Sequence, residues 1–375
     1  MSLSVMITPG SRVLAGNPIK MTVASDSKVI YSIAAAGEVL YTGSGIGSFG
    51  VFINDIVEGA MSAQLMYNND DRLLIPISGN GVEFTVSLRN ADGETANRTF
   101  TAYMGGVSKT TLRSLGQSSI FTGKFCNYAG NFFFTTRVGS SVISLRETEV
   151  SPLQFIYPSD GTLSARCGNL SVSLPGTAGS LYGLNIYAIR KQLFMKHGQL
   201  VNRLAIYCNE SLACTICLLP CSMVRERYYV RFLNSLGCYE IMELTASAQV
   251  KATFADEDTY NEYDDVVDDY VQRRQRQRSR KQLELESGYK SRDELLFLLD
   301  MLSSDDVTLL GYEGNDVKVH PVCDDWHLAV LPTVPDGVPI TLRFADDEQR
   351  SSTDLSLDNL GDARIHTEQF TQQFN

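Results

Sequence analysis

Long apolar runs are missing from this sequence. The best stretch, Leu212 to Pro220, falls far short of the roughly 18 residues a membrane-spanning helix needs, which excludes that class. Basic charge is in deficit, with 32 Lys and Arg against 43 Asp and Glu and a net charge of −11. General nucleic-acid binding is therefore not expected, because phosphate contacts need Lys and Arg. Tryptophan occurs once, at Trp326, a poor supply of aromatic platforms for sugars. The four His (197, 320, 327 and 366) form no His-Glu-x-x-His, and Gly-x-Ser-x-Gly does not occur, so the zincin and serine-hydrolase signatures are excluded. The first ten residues lack a basic stretch followed by an apolar one, which gives the expectation of a chain made and folded in a cytoplasm.

Cysteine is present but unevenly spaced. Four of the eight, Cys208, Cys214, Cys217 and Cys221, fall within 14 residues. A small disulfide-built scaffold uses more cysteines at more regular intervals, so reduced, buried thiols are the expectation. The alternative is a zinc or iron–sulfur site at these four residues. Against it, only the central pair has ligand-like spacing, and Thr215, Ile216, Leu218 and Leu219 between them are strand-like.

What the sequence does contain is β-pattern. Tyr228 to Leu244 reads as strand, tight turn, strand, with Asn234 and Gly237 at the first and fourth turn positions. Ile19, Met21 and Val23 alternate with polar residues, and further short strands recur up to Met104 with turns such as Asn90 to Gly93. The expected fold is mainly β with a few short helices, all-β or α+β. An N-terminal immunoglobulin-like sandwich over 1–106 comes first. A β-rich domain with one amphipathic helix over 107–222 follows, then a β-rich domain with a capped helix at 291–302 over 223–350, and an extended tail over 351–375. Phe132 to Val138 and Val142 to Arg146 are predicted as a strand pair. Ile186, Ile189, Leu193 and Phe194 have helical spacing behind a capping Asn185. Ser291 and Glu294 form a capping box before a nearly all-apolar helix.

Other candidate chemistry is weaker. Gly45-Ile-Gly-Ser-Phe-Gly50 matches the dinucleotide fingerprint, but Val51 to Ile53 continues as strand where the fingerprint requires a helix. Glu147 and Glu149 share one face of a predicted strand, which does not make a glycosidase pair without a cleft between them. We expect no catalytic residue and no cofactor.

The charge pattern is more informative. Eight acidic residues and no basic one lie between Asp256 and Asp269, and six basic residues and no acidic one between Arg273 and Lys281. The acidic run fails as a calcium loop, because its sixth position is Asn261 and its twelfth Val267. Arg274, Arg276, Arg278 and Arg280 share one parity, which in a strand is one face. Such blocks suit pairing within the chain or with a neighbouring copy. Asp264, Asp265, Asp268 and Asp269, the four arginines, and Phe370 and Phe374 of the tail are the expected assembly contacts.

Five phrases resemble large proteins encoded in phage and prophage regions of gut Bacteroidetes. They are Tyr103-Met-Gly-Gly-Val-Ser108, Asn131-Phe-Phe-Phe-Thr-Thr-Arg137, Leu145-Arg-Glu-Thr-Glu149 with Pro152-Leu153, Tyr229 to Gly237, and Ser287-Gly-Tyr-Lys-Ser291. Comparable proteins carry a second Gly and a Trp where Cys238 and Tyr239 stand here. The resemblance implies a virion component of a tail or baseplate and carries over no active-site residue; the serial β domains, complementary charge blocks and extended tail suit a homo-oligomer in a ring with other virion proteins. The alternative is a carbohydrate- or cell-surface-binding adhesion module.

Overall fold

The computed structural model describes residues 3–8, 10–116, 121, 132–137, 139, 141–159, 161–198, 200–221, 223–245, 247–254, 259–274, 279–324, 326 and 337–345. Arg276, Arg278, Phe370, Phe374 and the 351–375 tail lie outside them. The described residues are mainly β, 51% strand and 13% helix. It divides into two compact units, one of Met1–Cys221 with Leu233–Ile241, the other of Ser222–Phe232 with Met242–Asn375.

The first unit opens with β1 (Ser4–Thr8), β2 (Arg12–Leu14), β3 (Lys20–Ala24), β4 (Lys28–Ala35), β5 (Glu38–Ile46), β6 (Phe49–Phe52), α1 (Asn54–Gly59), β7 (Leu74–Pro76), β8 (Gly81–Asn90) and β9 (Thr95–Tyr103). A sheet in the order β1-β3-β6 and another in the order β2-β9-β8-β4-β5 share one core. The alternation seen in sequence sets the faces: Met21 and Val23 meet Val29, Tyr31 and Ile33 inside, while Lys28 and Ile30 point out. Phe84 and Phe100 are directly opposed and stack at 5.5 Å. The glycine fingerprint is only the passage from β5 to β6 in the other sheet, with Gly47 in a left-handed turn.

The chain then forms α2 (Lys109–Leu115), β10 (Val142–Arg146), β11 (Leu153–Ile156), β12 (Leu163–Cys167), β13 (Leu170–Leu174), β14 (Leu181–Leu184), α3 (Ile186–His197), β15 (Arg203–Cys208) and β16 (Ser211–Leu219). The same plan repeats, with a sheet β11-β14-β7 and a sheet β10-β16-β15-β12-β13 about a second core. β7, from the expected first segment, thus pairs with β14. Asn185 caps α3 by accepting from the Ala188 amide at 3.0 Å, and Gly198 ends it in the left-handed region.

Two expectations fail here. Phe132 to Arg137 is irregular, and β10 pairs in parallel with β16 instead of with that segment. Phe132 and Phe133 enter the second core while Phe134 joins a separate cluster with Tyr103 and Leu236, so consecutive aromatics serve different neighbours and no single strand face accommodates them. Glu147 and Glu149 lie in a 3-10 turn, each held by a different arginine.

The second unit holds the stems of the hairpin β17 (Tyr228–Leu233) and β18 (Tyr239–Leu244). Its other elements are β19 (Ala248–Phe254), β20 (Thr259–Asp264), β21 (Asp269–Arg274), β22 (Ser279–Glu286), α4 (Arg292–Leu302), β23 (Val307–Tyr312), β24 (Asn315–Val322) and β25 (Pro339–Phe344). A sheet in the order β18-β17-β23-β24-β25-β22-β19 buries one face beneath α4, where Phe232 meets Phe297 edge-on at 5.1 Å. The capping box forms as the sequence predicts, the Ser291 amide donating to Glu294 at 2.8 Å and the Glu294 amide to Ser291 at 3.3 Å. The helix is buried on one face, with Leu296 and Leu299 outward.

Phe155 is fully buried among Phe132, Phe133, Tyr157 and Tyr182. Phe155→Ala is expected to destabilise the first unit by about 3–5 kcal/mol, measured as a lower urea midpoint in a transition assigned to that unit.

Candidate functional site

Of the expected assembly residues, the four aspartates and Arg274 fall on a two-stranded ribbon and its turn. β20 and β21 pair antiparallel from Thr259↔Arg274 to Asp264↔Asp269, and β19 and β22 pair in the same register about the 266–267 turn. Nearly every residue of β20 and β21 is exposed. One face carries Tyr260, Glu262, Asp264, Asp269, Val271 and Arg273. Arg273 reaches Glu262 at 2.6 Å and Asp264 at 3.9 Å, so part of the acidic and basic blocks neutralise each other within the ribbon. The other face carries Tyr263 and Tyr270, edge to face at 5.5 Å, with Arg274. Tyr263 donates its hydroxyl to Asp268, which raises the phenol's pKa above its usual value.

The turn explains the aspartates locally. Asp264 accepts from the Val266 amide at 2.9 Å through its side chain and from the Asp268 amide at 2.9 Å through its carbonyl. Asp268 takes a positive φ of 54°, a conformation Asp tolerates better than most residues. Asp265 is exposed at the same turn. Val266 is 94% exposed at the tip, with Val267 and Tyr270 also largely in solvent. Arg280 lies on β22 opposite Thr253, at the same parity as Arg274. Arg276 and Arg278 lie outside the described residues.

The four clustered cysteines do not converge. Cys214 lies opposite Ile206 in β16 and is buried, while Cys217 lies three positions on, across from Arg203. An odd separation in a strand sends the two side chains to opposite faces. Cys208 is buried near the other end of this hairpin, opposite Ser211, and Cys221 follows β16. Burial pushes the Cys214 thiol up to about 11. Among the described residues, no group of three or more His, Cys, Asp or Glu is placed to hold a metal. A shallow depression of about 300 Å³ on the outer face of the first sandwich is lined by Ile30, Ser32, Ser87, Arg89, Thr95 and Asn97 among others, and no carboxylate, His or Cys lines it.

Sequence reasoning missed the most concentrated polar chemistry. In the first unit, the Arg137 guanidinium donates to Glu149 at 3.0 Å, to Glu240 at 3.1 Å and to the Ile241 carbonyl at 2.8 Å. All three side chains are buried. Glu240 also accepts from Thr135 at 2.8 Å and Asn234 at 2.7 Å. These neutral donors add to the charged ones in holding the buried carboxylate. Beside this cluster the Asn80 amide donates to the Gly237 carbonyl and to Gln154, each at 2.8 Å, and Asn80 accepts from the Met104 amide. Gly105, at φ +88°, packs so closely on Leu236 that a Cβ there would lie 2.4 Å from its carbonyl carbon.

Four of the five phrases that carry the resemblance therefore meet in space. Gly105, Arg137, Glu149 and the Asn234–Gly237 turn come from four of them and form one buried joint of the first unit. In the second unit, the fifth phrase supplies buried Lys290, which donates to the Glu243 carbonyl at 2.6 Å. The available signal was local: Glu240 stood out as an acid inside an apolar hairpin, and Arg137 closed an aromatic run. The joint fixes segments.

Arg137→Met is expected to cost about 3–5 kcal/mol of first-unit stability, because it leaves two buried carboxylates without their cation. Arg137→Lys should recover only a minor part, since an ammonium lacks the planar fork that reaches three acceptors; urea midpoints of both variants check this. At about pH 8, alkylation of native protein is expected to spare Cys208 and Cys214 while modifying Cys221, because the first two are buried away from the reagent and burial also keeps the Cys214 thiol protonated; peptide mass mapping reads the pattern.

No family model and no curated protein matches this chain. Among solved structures, it is similar to the periplasmic chaperone SfaE at 11% identity, covering 58% of this chain and 100% of that one, with a TM-score of 0.19. It is similar to a bacterial ice-binding adhesin at 9% identity, covering 72% and 96%, with a TM-score of 0.16. It is also similar to the extracellular region of plexin A4 at 11% identity, covering 94% and 40%, with a TM-score of 0.18. Scores this low carry no argument about fold or function.

Proposed function

We propose that this chain is a structural subunit that acts by assembling with further copies of itself, as a ring component of a phage tail tip or baseplate. The observation that carries the reading is the β20–β21 ribbon. An isolated two-stranded ribbon in water is marginally stable, and this one exposes both faces. It nevertheless carries Tyr260, Tyr263, Tyr270, Val266 and Val267, residues that gain from being covered. Its charges are partly neutralised inside the ribbon, which lowers the desolvation cost of contact. The virion setting rests on the five resembling phrases, and their role as buried joints suits a scaffold.

Replacing residues 259–274 by an Asn-Gly turn tests this. The expected result is a shorter chain that keeps its strand signal and loses higher-order mass in sedimentation. An unchanged oligomer, or a full-length chain that stays monomeric at every attainable concentration, overturns the reading. The quadruple variant Arg274→Ser, Arg276→Ser, Arg278→Ser and Arg280→Ser is expected to weaken the same assembly without unfolding the subunit.

A further inference from the structure

We infer that the open edge of β5 is a second, separate contact, in which two copies of this chain pair antiparallel through residues 40–46 about a twofold axis at Gly43. Among the described residues β5 is the last strand of its sheet and pairs with β4 alone, so its other side presents a row of backbone donors and acceptors to a further strand. Natural edges are usually guarded by Lys, Pro or short length. This strand has nine residues with neither Lys nor Pro, and its stretch 40–46 carries no charge in a chain of net −11. Its one irregularity, a register shift against β4 between Ile33 and Ala34, lies at the Leu40 end and leaves Tyr41 to Ile46 regular.

The side chains say which strand fits. Leu40, Tyr41 and Ile46 are exposed, Ile46 at 79%. Gly43 and Gly45 alternate with Thr42 and Ser44, and their missing side chains leave Tyr31 and Phe49 as the surface beneath. Antiparallel pairing about Gly43 sets Tyr41 of each copy opposite Gly45 of the other, beside the Phe49 ring. It sets Thr42 opposite Ser44, a favourable hydroxyl pair, and Leu40 opposite Ile46. Each bulky residue meets a gap or an apolar partner, and the relation is self-complementary as a twofold contact requires. Charge agrees at both ends. Lys28 lies beside Ile46 in the sheet, and Glu38 lies two residues before Leu40, so pairing brings a basic end to an acidic end twice.

The test uses full-length chains carrying Thr42→Cys or Ser44→Cys. Both positions are exposed, so neither substitution disturbs the core. In the proposed register Thr42 and Ser44 of different copies are directly opposed, within disulfide reach, whereas two copies of either position alone are diagonal neighbours about 7–8 Å apart. Mild oxidation of an equimolar mixture is expected to give a crosslinked dimer on a non-reducing gel. Each variant alone, and the wild-type chain with its native cysteines, should give about tenfold less or none. Adding Ile46→Lys to both chains should abolish the crosslink while the far-ultraviolet circular dichroism stays unchanged. Equal crosslinking in mixture and single variants, or none in the mixture, overturns the proposal. Neither outcome bears on the ribbon, whose removal leaves β5 intact, so the two contacts fail or stand independently.

Discussion

A guanidinium taken out of water is costly, and Arg137 is the cation around which the first unit closes. Two carboxylates and a carbonyl offset that cost, arriving together from Glu149, Glu240 and Ile241. None of these is useful alone. Glu149 without Arg137 is a buried acid in a short turn, and Glu240 without it is a buried acid in a strand. The cluster therefore acts as a register pin: it accepts one arrangement of the segments near 137, 149 and 240 and penalises every other. The neighbouring Asn80 amide works the same way without charge, holding the Gly237 carbonyl, Gln154 and the Met104 amide at once.

This explains what could be read in the sequence and what could not. The β17–β18 hairpin, the helices capped by Asn185 and Ser291, and the alternation in β3 were legible, because each is specified by residues within one or two turns of chain. Phe132 to Arg137 was not. Three adjacent phenylalanines look like a strand, yet their destinations are two separate clusters, and their backbone bonds elsewhere, the Phe134 amide to the Gln154 carbonyl at 2.8 Å. Glu147 and Glu149 misled in the same way. Their partners, Arg190 and Arg137, lie outside any local window. Of the candidate site, the position of the charge blocks was legible and their pairing was partly so, since complementary blocks separated by a short turn readily meet. The exposure of the ribbon was not legible, because a strand's burial depends on what lies above it.

Two kinds of surface result. Each sandwich in the first unit stacks a sheet of three strands on one of five, so the smaller sheet alone does not cover the margins of the broader one. β5 occupies such a margin, and residues of both parities reach solvent there. The ribbon in the second unit is exposed for a different reason, having left its sheet altogether. The core sets the first exposure and chain length sets the second. Substitutions on the ribbon are thus freer of folding consequences than substitutions along β5, where Gly43 and Gly45 are held by the Tyr31 and Phe49 rings.

The placement of Leu233–Ile241 within the first unit has a consequence for how the chain is made. The Gly237 carbonyl that Asn80 holds lies 157 positions downstream, and Glu240 lies 103 beyond Arg137. A ribosome adding roughly 5–20 residues per second delivers Asn80 and Arg137 well before their partners leave the exit tunnel. During that interval the nascent unit has its sandwich strands and lacks its pin. The first unit is completed from within the sequence of the second, so N-terminal synthesis does not amount to N-terminal folding here. A nascent chain stalled before residue 241 would hold Arg137 beside an unfilled joint, the state in which a holdase has most to protect.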